Sequence, residues 1–351
     1  MPTPKELKTR LDALIANGLH FIEKSATELE KEPEFSVSHF ATGIELLLKA
    51  RLFAEHWTLV ASRPHATPWS QIKDGTLYSI QATELTDAIT SVTGTPLKRE
   101  AVLLKTVFAH RNQAVHFIPS QNITQIVGEQ FRVWYHIHEH LVVTWKDVYA
   151  AFAARIATVD ATLRQHKKCL EVRFEELTKE GIFKKPANED NLTRCPVCEM
   201  KSGILEEGES YVTTLDCPVC DANMEVANFG CGNWHPFADG FVGVVACECG
   251  ETHTPSDLAR LMDDQAPMSP KTRSIVGDTR YSCGECLEMR VVVARGQGYR
   301  CFACGMEFDD SALQHCGWCD EGWVGYDCSE TESSGCEHCD GGLSHAMSKD
   351  D

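Results

Sequence analysis

Nowhere does the 351-residue chain hold 18 consecutive apolar residues, so no segment reads as a bilayer-spanning helix. It opens MPTPKELKTR, without the apolar run of a secretory leader, and the expectation is a soluble cytoplasmic protein. Positive charge is also short: 33 Lys and Arg face 51 Asp and Glu, a formal net of −18, which argues against a surface that binds polyanions throughout. With 43% hydrophobic residues the chain can build one ordinary core, and the rest needs another staple. What it has in abundance is cysteine, 17 residues. In a reducing compartment, CxxC pairs point to metal ligands rather than disulfides.

Both the charge and the cysteine divide at Lys184-Lys185. Residues 1–185 hold 23 basic and 21 acidic residues, a net of +2; residues 186–351 hold 10 and 30, a net of −20. Only Cys169 precedes the boundary, and the string KKPANEDN (184–191) reads as a linker.

The first half carries helical periodicity. Leu7, Leu11, Leu14, Ile15, Gly18 and Ile22 fall on one face, and Pro4 suits a first turn. A second helix around Phe40, Ile44, Leu47 and Leu48 is apolar on more than one side and belongs at the centre of a bundle. A helix near 83–93 ends at Gly94, and another begins near Pro96. Trp134, Ile137, Leu141, Trp145 and Val148 mark one long helix near 122–160, with a further helical stretch to about 180. No period-2 strand is evident, so residues 1–185 are expected to form an all-helical bundle.

Within it stands RNQAVH, Arg111 to His116. The bare spacing Arg-x-x-x-x-His is expected roughly 0.7 times by chance in this composition and occurs twice, the other being Arg51 to His56. Requiring Asn after Arg lowers the expectation to roughly 0.02 and leaves only Arg111, Asn112 and His116. Cleavage of RNA by its own 2′-OH needs a group that moves protons near neutral pH and a cation for the charge building on the phosphorane, work that His and Arg suit without a metal. On a continuing helix the five-residue offset sets the two side chains about 140° apart. Convergence then needs a helix end, for which Pro119 is the cue, or a second copy related by symmetry. Glu45 and Lys49 form a favourable i, i+4 pair with at most a supporting role. His136, His138 and His140 place two imidazoles at i, i+4, but no third metal ligand is evident and a polar face is the default.

Arg111, Asn112 and His116, with the string GIELLLKARL (43–52) in the second helix, resemble the HEPN superfamily, helical bundles many of which are metal-independent endoribonucleases. The resemblance covers the first 150 to 180 residues. It implies a homodimer through the bundle with a composite cleft at the two-fold, in which Arg111 stabilises the phosphorane, His116 transfers protons or binds phosphate, and Asn112 positions. It equally admits members whose bundles only bind.

Six CxxC pairs organise the second half. Cys195/Cys198 with Cys217/Cys220, and Cys283/Cys286 with Cys301/Cys304, bracket stretches (YVTTLD, MRVVVARGQGYR) with the composition of short hairpins, and both sets resemble zinc ribbons. CGWCDEG and CEHCDGG are similar to the repeat of DnaJ-type zinc modules, with Cys316, Cys319, Cys336 and Cys339 as ligands and glycines after each knuckle to turn the backbone. A fourth site is available from Cys231, His235, Cys247 and Cys249, with His253 also near. Cys328 competes for a place in the third set, and Cys169 is read as an unligated thiol on a helix.

The expected organisation is therefore a mainly α HEPN-like bundle at 1–185 followed by small zinc-stabilised β-hairpin ribbons. These are a ribbon with one or two sites at 186–260, a second ribbon at 275–310, a DnaJ-like module at 311–343 and a disordered tail at 344–351. Closed four-thiolate sites leave no coordination position for water, so zinc here is structural. Each adds two negative charges, which disfavours the modules as general nucleic-acid grips, although Arg290, Arg295 and Arg300 offer one small basic patch. The leading expectation is an endoribonuclease, a toxin or antiviral-defence effector acting on RNA, with zinc modules that recognise a partner, a trigger or an RNA. The alternative is a dimeric adaptor that binds protein or nucleic acid without catalysis.

Overall fold

The computed structural model describes residues 2–116, 122–206, 210–237, 240–241, 243–264 and 279–341. It divides into two compact units, Met1–Glu180 and Gly181–Asp351. The boundary lies a few residues before the expected one, because KKPANEDN is not an extended linker. Ile182–Lys184 forms a 3-10 turn and Pro186–Glu189 a short helix, with Asn188 Nδ2 donating to the Ile182 carbonyl at 2.8 Å. The 344–351 tail and Pro119 lie outside the described residues.

The first unit is helical. Helix α1 (Pro4–Glu28) starts in a reciprocal cap: Glu6 N donates to Thr3 Oγ1 at 3.2 Å and Thr3 N to the Glu6 carboxylate at 2.9 Å. Helix α2 (Pro33–Glu55) is buried on most sides and forms the centre of the bundle. It can lie close against α1 because glycines meet there; a Cβ on Gly43 would stand 2.8 Å from the Gly18 carbonyl oxygen. Short α3 (Trp69–Asp74) and α4 (Leu85–Thr93) follow, and α4 ends at Gly94 in the left-handed conformation (φ 73°), as glycine permits. Helix α5 (Lys98–His116) carries the Arg111 segment, and α6 (Ile123–Glu139) packs beside it. Among the described residues of this unit the only β feature is an isolated bridge between Ala61 and Ser79.

The long helix expected at 122–160 is broken. After α6 a π turn spans His140–Thr144, then come α7 (Lys146–Tyr149), a 3-10 turn at Ala150–Phe152 and α8 (Ala153–Leu163). No Pro or Gly lies between Glu129 and Leu163 to announce the break. Tertiary anchors coincide with it: Tyr149 Oη donates to the Leu47 carbonyl at 2.6 Å, and His140 stacks on Trp145 with ring centroids 4.7 Å apart. Helix α9 (Lys167–Lys179) closes the unit. Its fully buried Glu176 accepts from Arg132 Nε at 3.0 Å and Lys179 Nζ at 2.8 Å, and also pairs with Arg99.

The second unit is strand-rich. After the short helix α10 (Pro186–Glu189), β1 (Leu192–Arg194), β2 (Lys201–Leu205), β3 (Val212–Cys217), β4 (Ala222–Asn228) and β5 (Trp234–Pro236) form one antiparallel sheet in chain order. A two-stranded hairpin, β6 (Val245–Ala246) and β7 (Thr252–His253), leads into α11 (Pro255–Asp264). Strand β8 (Ser282–Cys283) precedes the three-stranded sheet of β9 (Val292–Arg295), β10 (Gly298–Cys301) and β11 (Glu307–Asp309). Strands β12 (Leu313–His315) and β13 (Gly322–Val324) then form a hairpin, and β13 pairs in parallel with β8.

The separate modules expected at 186–260, 275–310 and 311–343 are thus joined. Val212, Phe229, Phe237, Leu258 and Met262 share one buried cluster with Val293 and Phe302. Buried Glu321 accepts from Ser282 Oγ and from Arg290 Nη2, both at 2.9 Å. Arg300 forms a two-pronged ion pair with Glu225 while its guanidinium lies 5.0 Å from the centre of the Phe237 ring. The basic patch expected from Arg290, Arg295 and Arg300 is therefore not formed. Two of the three arginines are spent on internal carboxylates, and only Arg295 stands exposed and outside that pairing.

Candidate metal centres and the Arg111 segment

Five of the six CxxC knuckles close in the same way. The amide of the residue after the second cysteine donates to the carbonyl of the first: Glu199 to Cys195 and Asp221 to Cys217 at 2.8 Å, Leu287 to Cys283 and Asp320 to Cys316 at 2.9 Å, and Gly305 to Cys301 at 3.0 Å. The donor residue is left-handed in every case, including the non-glycines Glu199, Asp221, Leu287 and Asp320 with φ of 57–62°. That conformation costs an L-residue about 1–2 kcal/mol. Its recurrence shows the turn, not the side chain, being selected. In CGWCDEG it is Asp320 rather than the glycine that makes the turn, while Gly341, two residues past Cys339, is also left-handed (φ 69°).

The knuckles bring twelve sulfurs into three tetrads: Cys195, Cys198, Cys217 and Cys220; Cys283, Cys286, Cys301 and Cys304; and Cys316, Cys319, Cys336 and Cys339. Cross-pairs of sulfurs lie 3.7 Å apart for Cys195–Cys220, Cys198–Cys217, Cys283–Cys304 and Cys319–Cys336, and 3.8 Å apart for Cys286–Cys301 and Cys316–Cys339. Four sulfurs at about 2.3 Å from one tetrahedral zinc stand about 3.8 Å from each other, so the donor sets fit such an ion without rearrangement. Amides face the sulfurs as expected, with Val197 N on Cys195, Ala303 N on Cys301 and His338 N on Cys336 at 3.4 Å. Crowding divides the thiols' acidity within the second set: the Cys301 thiol beside it brings Cys283 down to about 5, and burial pushes Cys286 up to about 12.

A fourth tetrad consists of Cys231, Cys247, Cys249 and His253. Its hairpin explains the set: Cys247 and Cys249 occupy the turn between β6 and β7, and His253 pairs with Val245 across it. The Cys231–Cys247 sulfurs are 3.5 Å apart, and His253 Nε2 is 3.6 Å from Cys249 Sγ, matching the roughly 3.5–3.6 Å expected between a thiolate and an imidazole on one zinc. His235, expected as a ligand, is not a member. It sits on β5 with Nε2 3.4 Å from Cys247 Sγ, and Asn233 Nδ2 lies at the same distance from that sulfur. Both place a nitrogen beside the Cys247 sulfur, where an N–H can donate to it, as groups around a metal ligand commonly do. Cys328 is outside the third tetrad, with its amide donating to Gln314. Cys169 is a buried thiol on α9 that burial pushes up to about 12.

Among the described residues all four ligand groups lie in the second unit. The imidazoles of α6 and of the π turn after it instead each face a carboxylate from another helix: His136 to Glu176 at 3.3 Å, His140 to Glu100 at 3.2 Å and His138 to Asp160 at 4.0 Å.

Helix α5 runs through both Arg111 and His116, so their directions diverge by about 140°. Arg111 turns toward α2, with Nη1 3.5 Å from Glu45 Oε2, Nε donating to Asn112 Oδ1 at 3.0 Å, and its guanidinium 5.7 Å from the Phe108 ring centre. Glu45 also accepts from Lys49 Nζ at 2.5 Å, so one carboxylate serves two cations. His116 is exposed on the other side, on a stripe with Val102, Ala109 and Gln113 that spans about 60° of the helix. The three residues of the motif therefore do not converge within one chain. No family model, curated protein or solved structure matches the chain.

Proposed function

We propose that the protein is a metal-independent endoribonuclease of HEPN type, acting as a dimer, with zinc-bound modules that recognise a partner or trigger. The observation that carries this reading is the division of labour on α5. Arg111 is held in place by Glu45 and Asn112, while His116 lies on an exposed stripe with Val102, 69% exposed, and with Ala109. A stripe that mixes exposed apolar residues with an imidazole suits burial against its own copy, and a two-fold there would bring the two His116 side chains together; that Arg111 joins them in one composite cleft is what the HEPN resemblance adds. In that cleft Arg111 stabilises charge on the phosphorane and His116 moves the proton. The toxin or defence role rests on the resemblance alone.

The zinc reading follows from four donor sets of tetrahedral size, all or mostly thiolate. The sites are structural: three are closed four-thiolate sets, and a unit built of two- to seven-residue strands gains from metal the folding free energy its small cores do not supply. With Arg290 and Arg300 engaged internally, a protein partner suits the acidic unit better than RNA does.

The competing reading is a dimeric adaptor, favoured by the fact that Arg111 already has two partners. RNA cleavage separates the two. The full zinc-loaded chain is incubated with total RNA and tRNA without free magnesium, alongside Arg111→Ala and His116→Ala. Cuts made by the wild type and lost in both variants support the enzyme. Equal cutting by all three, or none by a dimeric wild type, favours the adaptor.

A further inference from the structure

We infer that the helical unit holds a binding site for a small anionic molecule with an apolar body, an alkyl carboxylate in chemical class, in the cavity between α1, α2 and the segment 60–79. The cavity measures about 560 Å³, inside the roughly 300–1,000 Å³ of small-molecule sites. Its walls are apolar: Leu14 from α1, Leu46 and Phe53 from α2, and Val60, Ile72 and Leu77 from the segment that folds over them. Its polar groups are few and convergent. Lys49 and Ser79 line one side, and Arg10 and Asn17 stand at the exposed rim.

The charge of that lining sets the ligand's sign. Lys49 is only 9% exposed, and its ammonium donates to Glu45 at 2.5 Å and to Ser79 Oγ at 2.8 Å, which uses two of its three hydrogens. Glu45 is shared with Arg111, so two cations face one carboxylate and the cluster keeps a surplus positive charge. Arg10 adds another at the mouth, where its guanidinium donates to the Lys73 carbonyl at 3.3 Å. A carboxylate entering beside Lys49 meets a desolvated ammonium and a hydroxyl, a charge-assisted pair in a low-dielectric setting. Its alkyl chain covers the six apolar side chains. An alkylammonium would meet the same surplus charge with the wrong sign, and inorganic phosphate would leave the apolar wall uncovered.

The shared carboxylate also ties this cavity to the α5 segment. Removing Arg111 leaves Glu45 wholly to Lys49 and lowers the cluster's charge by one, so anion affinity falls. By reciprocity, a bound anion strengthens the Glu45–Arg111 pair. The inference stands apart from the ribonuclease reading, since binding is measured without RNA.

The test is isothermal titration of the full zinc-loaded chain with decanoate, with decylamine and inorganic phosphate as controls. Saturable decanoate binding is expected, with neither control binding. Lys49→Met should weaken it by roughly tenfold or more, and Arg111→Ala by a few-fold. Ala13→Trp, which plugs the exposed rim without touching the core, should abolish it. Should Lys49→Met fail to fold, Ser79→Ala and Ala13→Trp decide. Absence of decanoate binding, equal binding of decylamine, or unchanged affinity in Ala13→Trp overturns the inference.

Discussion

Gly43 on α2 offers a test of how closely the helices that position Glu45 are packed. A Cβ at this position would lie 2.7 Å from Ile22 Cδ1, 2.8 Å from Ile22 Cγ1 and 2.8 Å from the Gly18 carbonyl oxygen. Ordinary contact begins near 3.4 Å, so the new methyl overlaps by about 0.6 Å with a fully buried side chain and with backbone of the facing helix, neither of which can swing aside. Overpacking of this kind costs about 1–3 kcal/mol, against a helix-propensity gain of up to about 1 kcal/mol for replacing glycine with alanine. Gly43→Ala should therefore destabilise by about 1–2 kcal/mol. At about 2–4 °C per kcal/mol for a unit of this size, its melting midpoint should fall by about 2–8 °C. Gly128→Ala on α6 is the control. Its Cβ would meet only Lys168 Cε at 3.3 Å, in a long side chain that can shift by a few tenths of an ångström while keeping its pair with Glu171, so the propensity gain survives and the midpoint should rise by about 1–4 °C. The measurement is circular dichroism at 222 nm during heating of the full chain. A Gly43→Ala midpoint at or above that of the wild type, or a Gly128→Ala midpoint below it, refutes the packing argument.

Metal content provides a second check: zinc-loaded protein measured by native mass spectrometry should carry four zinc ions per chain. Cys249→Ser or His253→Ala should lower that to three, whereas His235→Ala should keep four at weaker affinity for the last; loss of an ion in His235→Ala alone would reverse the ligand assignment. A third prediction concerns acid. Burial acts to raise the Glu176 pKa, but Lys179, Arg132 and Arg99 outweigh it and hold the carboxyl below 4.5, while burial followed by Arg99 keeps His136 below 6.5. Both groups bind protons more readily when unfolded, so each stabilises the fold above its unfolded pKa and loses that contribution as pH falls toward its folded value. The helical unit should begin to lose stability below about pH 6.5 and lose more below about 4.5. His136→Gln should flatten the upper part of a plot of melting midpoint against pH, and an unchanged upper limb would remove His136 as its source.

Local signals carried most of what sequence reading could reach. The CxxC knuckle is a five-residue turn closed by its own backbone, so spacing alone located twelve sulfurs and their partition into three tetrads. The cap at Thr3 and the stop at Gly94 are equally local. The fourth tetrad was legible only in part because three of its ligands belong to one hairpin while Cys231 and His235 approach from elsewhere. The spacing Cys247-x-Cys249-x-x-x-His253 within a short hairpin is the signal that would have favoured His253. The interruption after Glu139 left no mark in composition, since its anchors, Tyr149 on the Leu47 carbonyl and His140 on Trp145, are fixed by packing. The pairing of Arg290 and Arg300 with Glu321 and Glu225 spans 31 and 75 residues and had no local trace either.

The parallel pairing of β13 with β8, sealed by Glu321 on Ser282 and Arg290, has a consequence for how this region can be inherited. A chain ending before residue 311 would keep all four sulfurs of the second tetrad, yet its strand β8 would lose its neighbour, and the buried Ser282 hydroxyl and the half-buried Arg290 guanidinium would lose their acceptor. Recombination that moved only one of the two modules would deliver a damaged edge to both parents. The second and third metal sites are thus exchanged together or not at all, and because Val293, Phe302 and Arg300 also pack against residues 212–262, a graft has to carry those residues with them.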